Sequence, residues 1–200
     1  MTPLEDVEYP VLGEPVVIEF ANTLYRDGPD TTDFIETPAL AVGWFAESPT
    51  ACLLERPSQL SRTMIERLRH LRDAVHLLIS ASIDSAVPTP EALQVVNQHS
   101  TSMQSSTTLM WSSGTGPVAQ DNTSAEGLEA LLGLLALDCI RLVAGPDAHR
   151  LRRCASPGCP MFFLKNHSRR RWCHNSCGHR ERQSRYYLRQ KVLIPRKALQ

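Results

Sequence analysis

Residues 154–191 read CASPGCPMFFLKNHSRRRWCHNSCGHRERQSRYYLRQK, and the spacing of their cysteines decides the rest. Four residues separate Cys154 from Cys159, thirteen separate that pair from the next, and three separate Cys173 from Cys177. Close cysteine pairs with a loop of this length between them bring four thiolates to one tetrahedral ion, and zinc is the usual occupant. Ser156-Pro157-Gly158 supplies the turn that lets the first two sulfurs face inward. Met161 to Leu164 reads as a strand, and Lys165-Asn166-His167-Ser168 as the turn of a small hairpin. The second pair reads as the start of a helix, whose free N–H groups and dipole favour thiolates. His167, His174 and His179 are spare ligands close by. A four-cysteine set leaves no position open for water or substrate, so the site is structural rather than catalytic.

Arginine crowds the same segment. Of the 21 Lys and Arg in the chain, 14 lie in residues 150–200, against one of the 21 Asp and Glu, which makes that tail +13 and the preceding 149 residues −13. The formal net charge of zero hides a basic tail on an acidic body, a pattern that points to a polyanionic partner or to pairing between the two halves. Past Cys177 the sequence is helical in character to about Lys191. Arg182, Arg185 and Arg189 share one face of it, with Arg180 on another side, and Arg169-Arg170-Arg171 form a second cluster ahead of Trp172. Guanidinium groups bind phosphate and guanine edges in a bidentate manner, so these seven arginines are the candidate nucleic-acid contacts.

Upstream, Val11 to Tyr25 begins with a β-branched run suited to a short strand. Asn22 and Thr23 break it. Asn22 is read as a cap or turn former by default, with a place in the lining of a ligand pocket as the sharper alternative. Residues 26–36 read as a loop. Thr37-Pro38 starts a short helix that carries Trp44 and Phe45. A long amphipathic helix runs from about Ser58 to Ile83, its polar face (Arg62, Arg67, Arg69, His70, Arg72) read as solvated and His70 and His76 as structural. Thr89-Pro90 starts a helix to about His99. Residues 100–108 read as a Ser/Thr-rich loop, and 108–111 with 117–120 as a hairpin. Thr123-x-x-Glu126 looks like a capping box for an apolar helix, Glu126 to Ala144, placed at the centre of the N-terminal domain. Cys52 and Cys139 are read as small apolar residues. Residues 1–10 show no secretory signal and no apolar stretch reaches membrane-span length, so a cytoplasmic location without a membrane is expected. In that reducing compartment the paired cysteines are ligands rather than disulfides.

The quoted segment resembles the CGNR zinc finger. The matching residues are Cys154, Cys159, Phe162-Phe163, the run Arg169-Arg170-Arg171-Trp172-Cys173, and Cys177-Gly178-His179-Arg180, where His179 stands in place of the family's Asn. The upstream chain is similar to the ABATE domain that commonly precedes this finger, through Phe20-Ala21-Asn22-Thr23, Thr37-Pro38, Trp44 and a helix entering Leu151-Arg152-Arg153-Cys154. The resemblance implies a treble-clef-like zinc ribbon and a bacterial, stress-linked transcription regulator with a sensing N-terminal domain.

The expectation is an α+β chain. Residues 1–148 form a mainly helical, ABATE-like sensor domain with a few short strands, and residues 149–200 a zinc finger with a basic helix. Its function is zinc-dependent DNA binding in transcription regulation, with a small-molecule effector or homodimerisation assigned to the N-terminal domain. An RNA-binding or protein-binding zinc module is the alternative. No nucleophile–base set, phosphate-cradling glycine loop or HExxH helix is present, so no enzymatic activity is expected.

Overall fold

The computed structural model describes residues 9, 11–27, 30–48, 59–103, 105–112 and 116–193. Six helices and three two-stranded antiparallel sheets lie within them: α1 (Val16–Ala21), β1 (Leu24–Asp27), β2 (Asp30–Asp33), α2 (Pro38–Glu47), α3 (Arg62–Asp84), α4 (Pro90–Ser102), β3 (Ser105–Ser112), β4 (Gly116–Thr123), α5 (Gly127–Val143), β5 (Leu151–Arg153), β6 (Phe162–Leu164) and α6 (Asn175–Leu193). The chain is mainly helical with a few short strands, and a four-cysteine unit of zinc-ribbon type closes it.

α5 is the central element. Leu131, Leu132, Leu135, Ala136, Cys139 and Leu142 are buried, and the helix packs against α1, α3 and α4. The long helix α3 presents Ile65, Leu68, Leu71, Val75, Leu78 and Ile79 to the same core. Local chemistry starts these helices where the sequence predicts. Thr37 accepts from the Leu40 N–H and Thr89 from the Ala92 N–H, each followed by proline at the first helical position. Ser61 caps α3 through the Met64 N–H, and Ser85, in the left-handed region at φ 52°, ends it. The expected start of this helix at Ser58, and Cys52, lie outside the described residues.

Several expectations are corrected. The β-branched run Val16–Phe20 is a helix, not a strand. Every residue from Val17 to Ala21 is buried, so tertiary packing overrides a weak β propensity. Residues 26–36, read as a loop, contain the end of β1 and all of β2, paired from Leu24↔Asp33 to Asp27↔Asp30. Residues 100–102 continue α4, and their hydroxyls bond back to helix carbonyls, Ser100 and Thr101 to Asn97 and Ser102 to His99. Residues 105–108 belong to β3, so the hairpin is longer than its apolar residues indicate. α5 carries no side-chain cap: Glu126 is its N-cap residue, and Thr123 ends β4. Arg72 is not on a solvated face. It is 3% exposed and its guanidinium lies 2.5 Å from Asp33 and 2.9 Å from Asp73.

The approach to the cysteines differs as well. Ala148–Arg150 form a single 3₁₀ turn and 151–153 are strand β5, where a helix is expected. β6 pairs backward with β5, in the register Leu151↔Leu164, Arg152↔Phe163 and Arg153↔Phe162, rather than forward into a hairpin with the arginine loop. Leu151 and Phe162 join the core of the helical body, and the His76 ring of α3 packs at a tilt against Phe162 with centroids 4.5 Å apart. A second, smaller cluster, Cys154, Met161, Phe163, Cys173 and Cys177, receives Leu12 and Tyr25 from upstream.

The seam is closed by polar contacts. The Asn22 carboxamide accepts from the Phe162 N–H at 2.8 Å and donates to the Phe162 carbonyl at 2.9 Å. Glu14 accepts from the Leu164 N–H at 2.9 Å. These groups are on the edge of β6 that turns away from β5, where a third strand would otherwise be needed. Asn22 is 2% exposed. Its carboxamide faces the backbone of Phe162 rather than a pocket, and that replaces the ligand-pocket reading of this residue.

Replacing Asn22 with Ala strands a buried N–H and a buried C=O. A loss of about 2–4 kcal/mol of unfolding free energy is expected in denaturant titration, whereas a surface change such as Arg62→Gln stays within about 0.5 kcal/mol.

Candidate metal centre and nucleic-acid interface

The cysteines arrive at one point from three elements. Cys154 follows β5, Cys159 closes the turn after Gly158, and Cys173 and Cys177 flank the start of α6. The Cys159 N–H bonds the Ser156 carbonyl at 3.0 Å, and the turn places Gly158 at φ 74°, where a Cβ is strained. Cys154 N–H bonds the Met161 carbonyl at 2.9 Å, and Ala155 N–H bonds the Arg171 carbonyl at 2.9 Å, which ties the arginine loop to the first cysteine pair. His174 caps α6: its Nδ1 accepts from the Ser176 N–H at 3.3 Å.

The four Sγ atoms lie within 4.8 Å of one another. Cys159–Cys173, Cys173–Cys177 and Cys177–Cys159 are separated by 3.8, 3.6 and 3.9 Å. A tetrahedron with its sulfurs about 2.3 Å from a central ion has edges of about 3.8 Å. A disulfide would need about 2.05 Å, and all four are free thiols. The donor set therefore fits a tetrahedral thiophilic metal, and it is the only cluster of metal-ligating side chains among the described residues. His167, His174 and His179 are exposed and take no part in it, so the spare-ligand reading does not apply.

Electrostatics agree with a cationic guest. Hydrogen bonding from Cys159 and then Cys173 holds the Cys154 thiol down at about 2. The contact with Cys154 pushes Cys159 up to about 12, aided by burial, and it also pushes Cys173 up. A divalent ion lets all four sulfurs ionise together. Lone, buried Cys139 shows the contrast: burial, with a smaller contribution from Asp138, raises it to about 12, as befits an inert apolar residue.

The seven candidate arginines separate into different environments. Arg170 is a structural residue. Its guanidinium lies 2.6 Å from Glu14, donates to the carbonyls of Leu164, Trp172 and Cys173, and stacks on Phe163 at 4.6 Å. These bonds engage four of its five N–H donors, so Arg170 serves the fold before any phosphate. Arg185 is engaged with Glu181 at 2.7 Å. Arg180 is half-buried, and Arg189 is exposed. Arg169, Arg171 and Arg182 line one groove beside the metal site, with Arg171 5.8 Å above the Trp172 ring. Gly178 packs under that indole, and a Cβ there would sit 3.2 Å from it. His179, at the motif position of the family's Asn, faces solvent.

Sequence patterns do not reveal the residues that hold this unit against the helical body. Glu14 is one. Glu19 is another: it is 1% exposed, and its Oε1 accepts the N–H groups of Leu12 and Glu14 at 2.8 and 2.7 Å, fixing the segment from which Glu14 reaches Arg170. Burial raises the Glu19 pKa, and these backbone bonds partly oppose it.

The comparisons with known families agree with this geometry. Residues 14–146 match the ABATE model, described as "putative stress-induced transcription regulator". This chain belongs to the ABATE family. Residues 150–190 of this ABATE protein match the CGNR zinc finger model, so all four cysteines fall inside the finger. No curated protein matches the chain significantly. No helix among the described residues is long and apolar enough to cross a membrane.

Because Cys159 and Cys173 must lose protons held above the usual thiol range, metal uptake releases protons and apparent affinity rises with pH. Competition against a chromophoric chelator from pH 6 to 8 reads this directly. Glu14→Ala leaves the part-buried Arg170 charge unpaired. We expect a loss of about 3 kcal/mol in unfolding free energy together with faster metal release to chelator.

Proposed function

We propose that this ABATE protein is a zinc-dependent, DNA-binding transcription regulator of the bacterial cytoplasm and not an enzyme. The observation that supports it best is the sulfur cage beside an arginine-lined groove without carboxylates, on a chain whose family is described as regulatory. Zinc, when bound, supplies a structural cross-link. Cys154, Cys159, Cys173 and Cys177 hold it, and Arg170 with Glu14 fixes the arginine loop over Phe163. Trp172 sets the distance between that loop and α6. Arg169, Arg171, Arg182 and Arg189 face the phosphate backbone, with Arg180 beside them and Arg185 available on release from Glu181.

The division of labour is 1–148 for sensing and 149–200 for nucleic-acid binding, the latter as a treble-clef-like unit. A small effector and a homodimer are assigned to the N-terminal part. The seam through Asn22 and Glu14 makes the two parts respond together, which suits a regulator that converts a stress signal into altered DNA affinity. An RNA-binding or protein-binding module is the second reading. It is favoured by Tyr186, Tyr187 and Leu188, which are 60–65% exposed on α6 and offer stacking or apolar contact.

Zinc-loaded protein is expected to bind short duplex DNA with an affinity that falls steeply with salt, and Arg182→Ala to flatten the log–log slope by about one unit. Selection from random duplexes then enriches a shared motif. Stronger retention of structured RNA at matched salt would favour the second reading, and absence of duplex binding at low salt with one zinc per chain would end the first.

A further inference from the structure

Between the arginine loop and the first turns of α6 lies an open groove of about 460 Å³. Arg169, Arg171 and Arg182 line it with His174 and Trp172, and none of its lining residues is acidic. The one arginine there with a carboxylate partner is Arg170, whose charge Glu14 offsets. Among the described residues, no carboxylate pairs with the three other guanidinium groups that share this concave space. The backbone enforces this: the Arg170 N–H bonds the His167 carbonyl at 3.1 Å, and the Arg171 carbonyl is bound to the Ala155 N–H. Gathering like charges around a concavity raises its potential and costs stability, an arrangement that suits anion capture.

Two further features point the same way. Asn175, the first residue of the 19-residue helix α6, lines the groove, so the positive end of the helix dipole opens onto it. The Trp172 indole Nε1–H is buried without a hydrogen-bond partner. The space is many times the roughly 30 Å³ that one water occupies, which admits a sugar–phosphate unit as well as a bare ion. The outer part of α6 is different in kind: Arg185 is held by Glu181, and its neighbours are Tyr186, Tyr187 and Leu188.

We propose that this groove holds a backbone phosphate of the bound nucleic acid, its oxygens shared by Arg169, Arg171 and Arg182 and faced by the first turn of α6. The proposal rests on the nucleic-acid reading above and sharpens it. The strand is gripped at the metal-proximal end of α6, and the outer face through Arg185 and Arg189 is secondary.

The test uses the full-length, metal-loaded chain. Duplex affinity is measured for Arg169→Gln, Arg171→Gln, Arg182→Gln, Arg185→Gln and Arg189→Gln, with Arg62→Gln on α3 as the control, and zinc content confirms the fold of each. In parallel, the Trp172 indole N–H resonance, assigned through Trp172→Phe, is followed on addition of inorganic phosphate, a deoxynucleoside monophosphate or the duplex. Each groove variant is expected to weaken duplex binding about tenfold at low salt and to lower the salt slope by about one unit. The Trp172 resonance moves with duplex and no longer moves in Arg182→Gln, and Arg62→Gln behaves as the parent. Strong losses in Arg185→Gln and Arg189→Gln with intact groove variants would overturn the groove assignment and leave DNA binding standing. Saturable binding of phosphate or the mononucleotide without duplex binding would make the groove a small-anion site and overturn the backbone assignment. No response to any of the three would remove both readings.

Discussion

One carboxamide takes the place of a strand. β5 and β6 form a ladder too short to stand alone, and the edge of β6 that faces the helical body would carry bare backbone groups in an apolar setting. Asn22 satisfies both groups of Phe162, and Glu14 satisfies the N–H of Leu164. A buried amide or carbonyl without a partner is costly, so this edge is stable only while α1 and its leading segment lie against it. The cysteine unit is therefore completed by the helical body. The apolar contacts repeat the arrangement, since Leu151 and Phe162 lie in the larger core while Phe163 lies in the smaller one. Adjacent residues of one strand thus anchor two clusters.

The sulfur cage does a complementary job. Its ligands come from the end of β5, a tight turn and the start of α6. A tetrahedral ion held there would set their distances and give the arginine loop a rigid base. Among the described residues, carboxylates offset charge on the inner side of that base only. Glu14 and Glu19 organise the inner side, and arginines face outward into a groove without carboxylates. The basic tail and the acidic body do meet, at Glu14–Arg170 and at Asp84–Arg153, where the distances are 2.6 Å. The second pair is largely exposed and contributes little. Among the described residues of the tail, Arg169, Arg171, Arg182 and Arg189 stay outside such contacts.

The meeting of the four cysteines was legible in the sequence, and the mounting of their unit was not. Cysteine spacing is a local signal with a steep geometric requirement, so four residues of one type at four positions were enough. Proline-led helix starts and the amphipathic α3 were legible for the same reason. The misreadings share another cause. Val16–Phe20 has strand propensity, but a place buried on nearly every side made it helical. Arg72 and Arg170 look like surface charges in any window, because their partners, Asp33 and Glu14, are 39 and 156 positions away. Asn22 stood out as a break in an apolar pattern, yet its meaning came from Phe162, 140 residues later. Window-based patterns contain no term for such separations.

Arg170 bears on how a run of identical residues tolerates change. Of Arg169, Arg170 and Arg171, the middle one is mortar and its neighbours face the groove. A lysine at 170 would conserve the charge and the far-field potential while giving up the planar fork that reaches three carbonyls, a carboxylate and a ring. Equal letters thus carry unequal tolerance: chemical conservatism matters at the centre of the triplet, and net charge matters at its flanks.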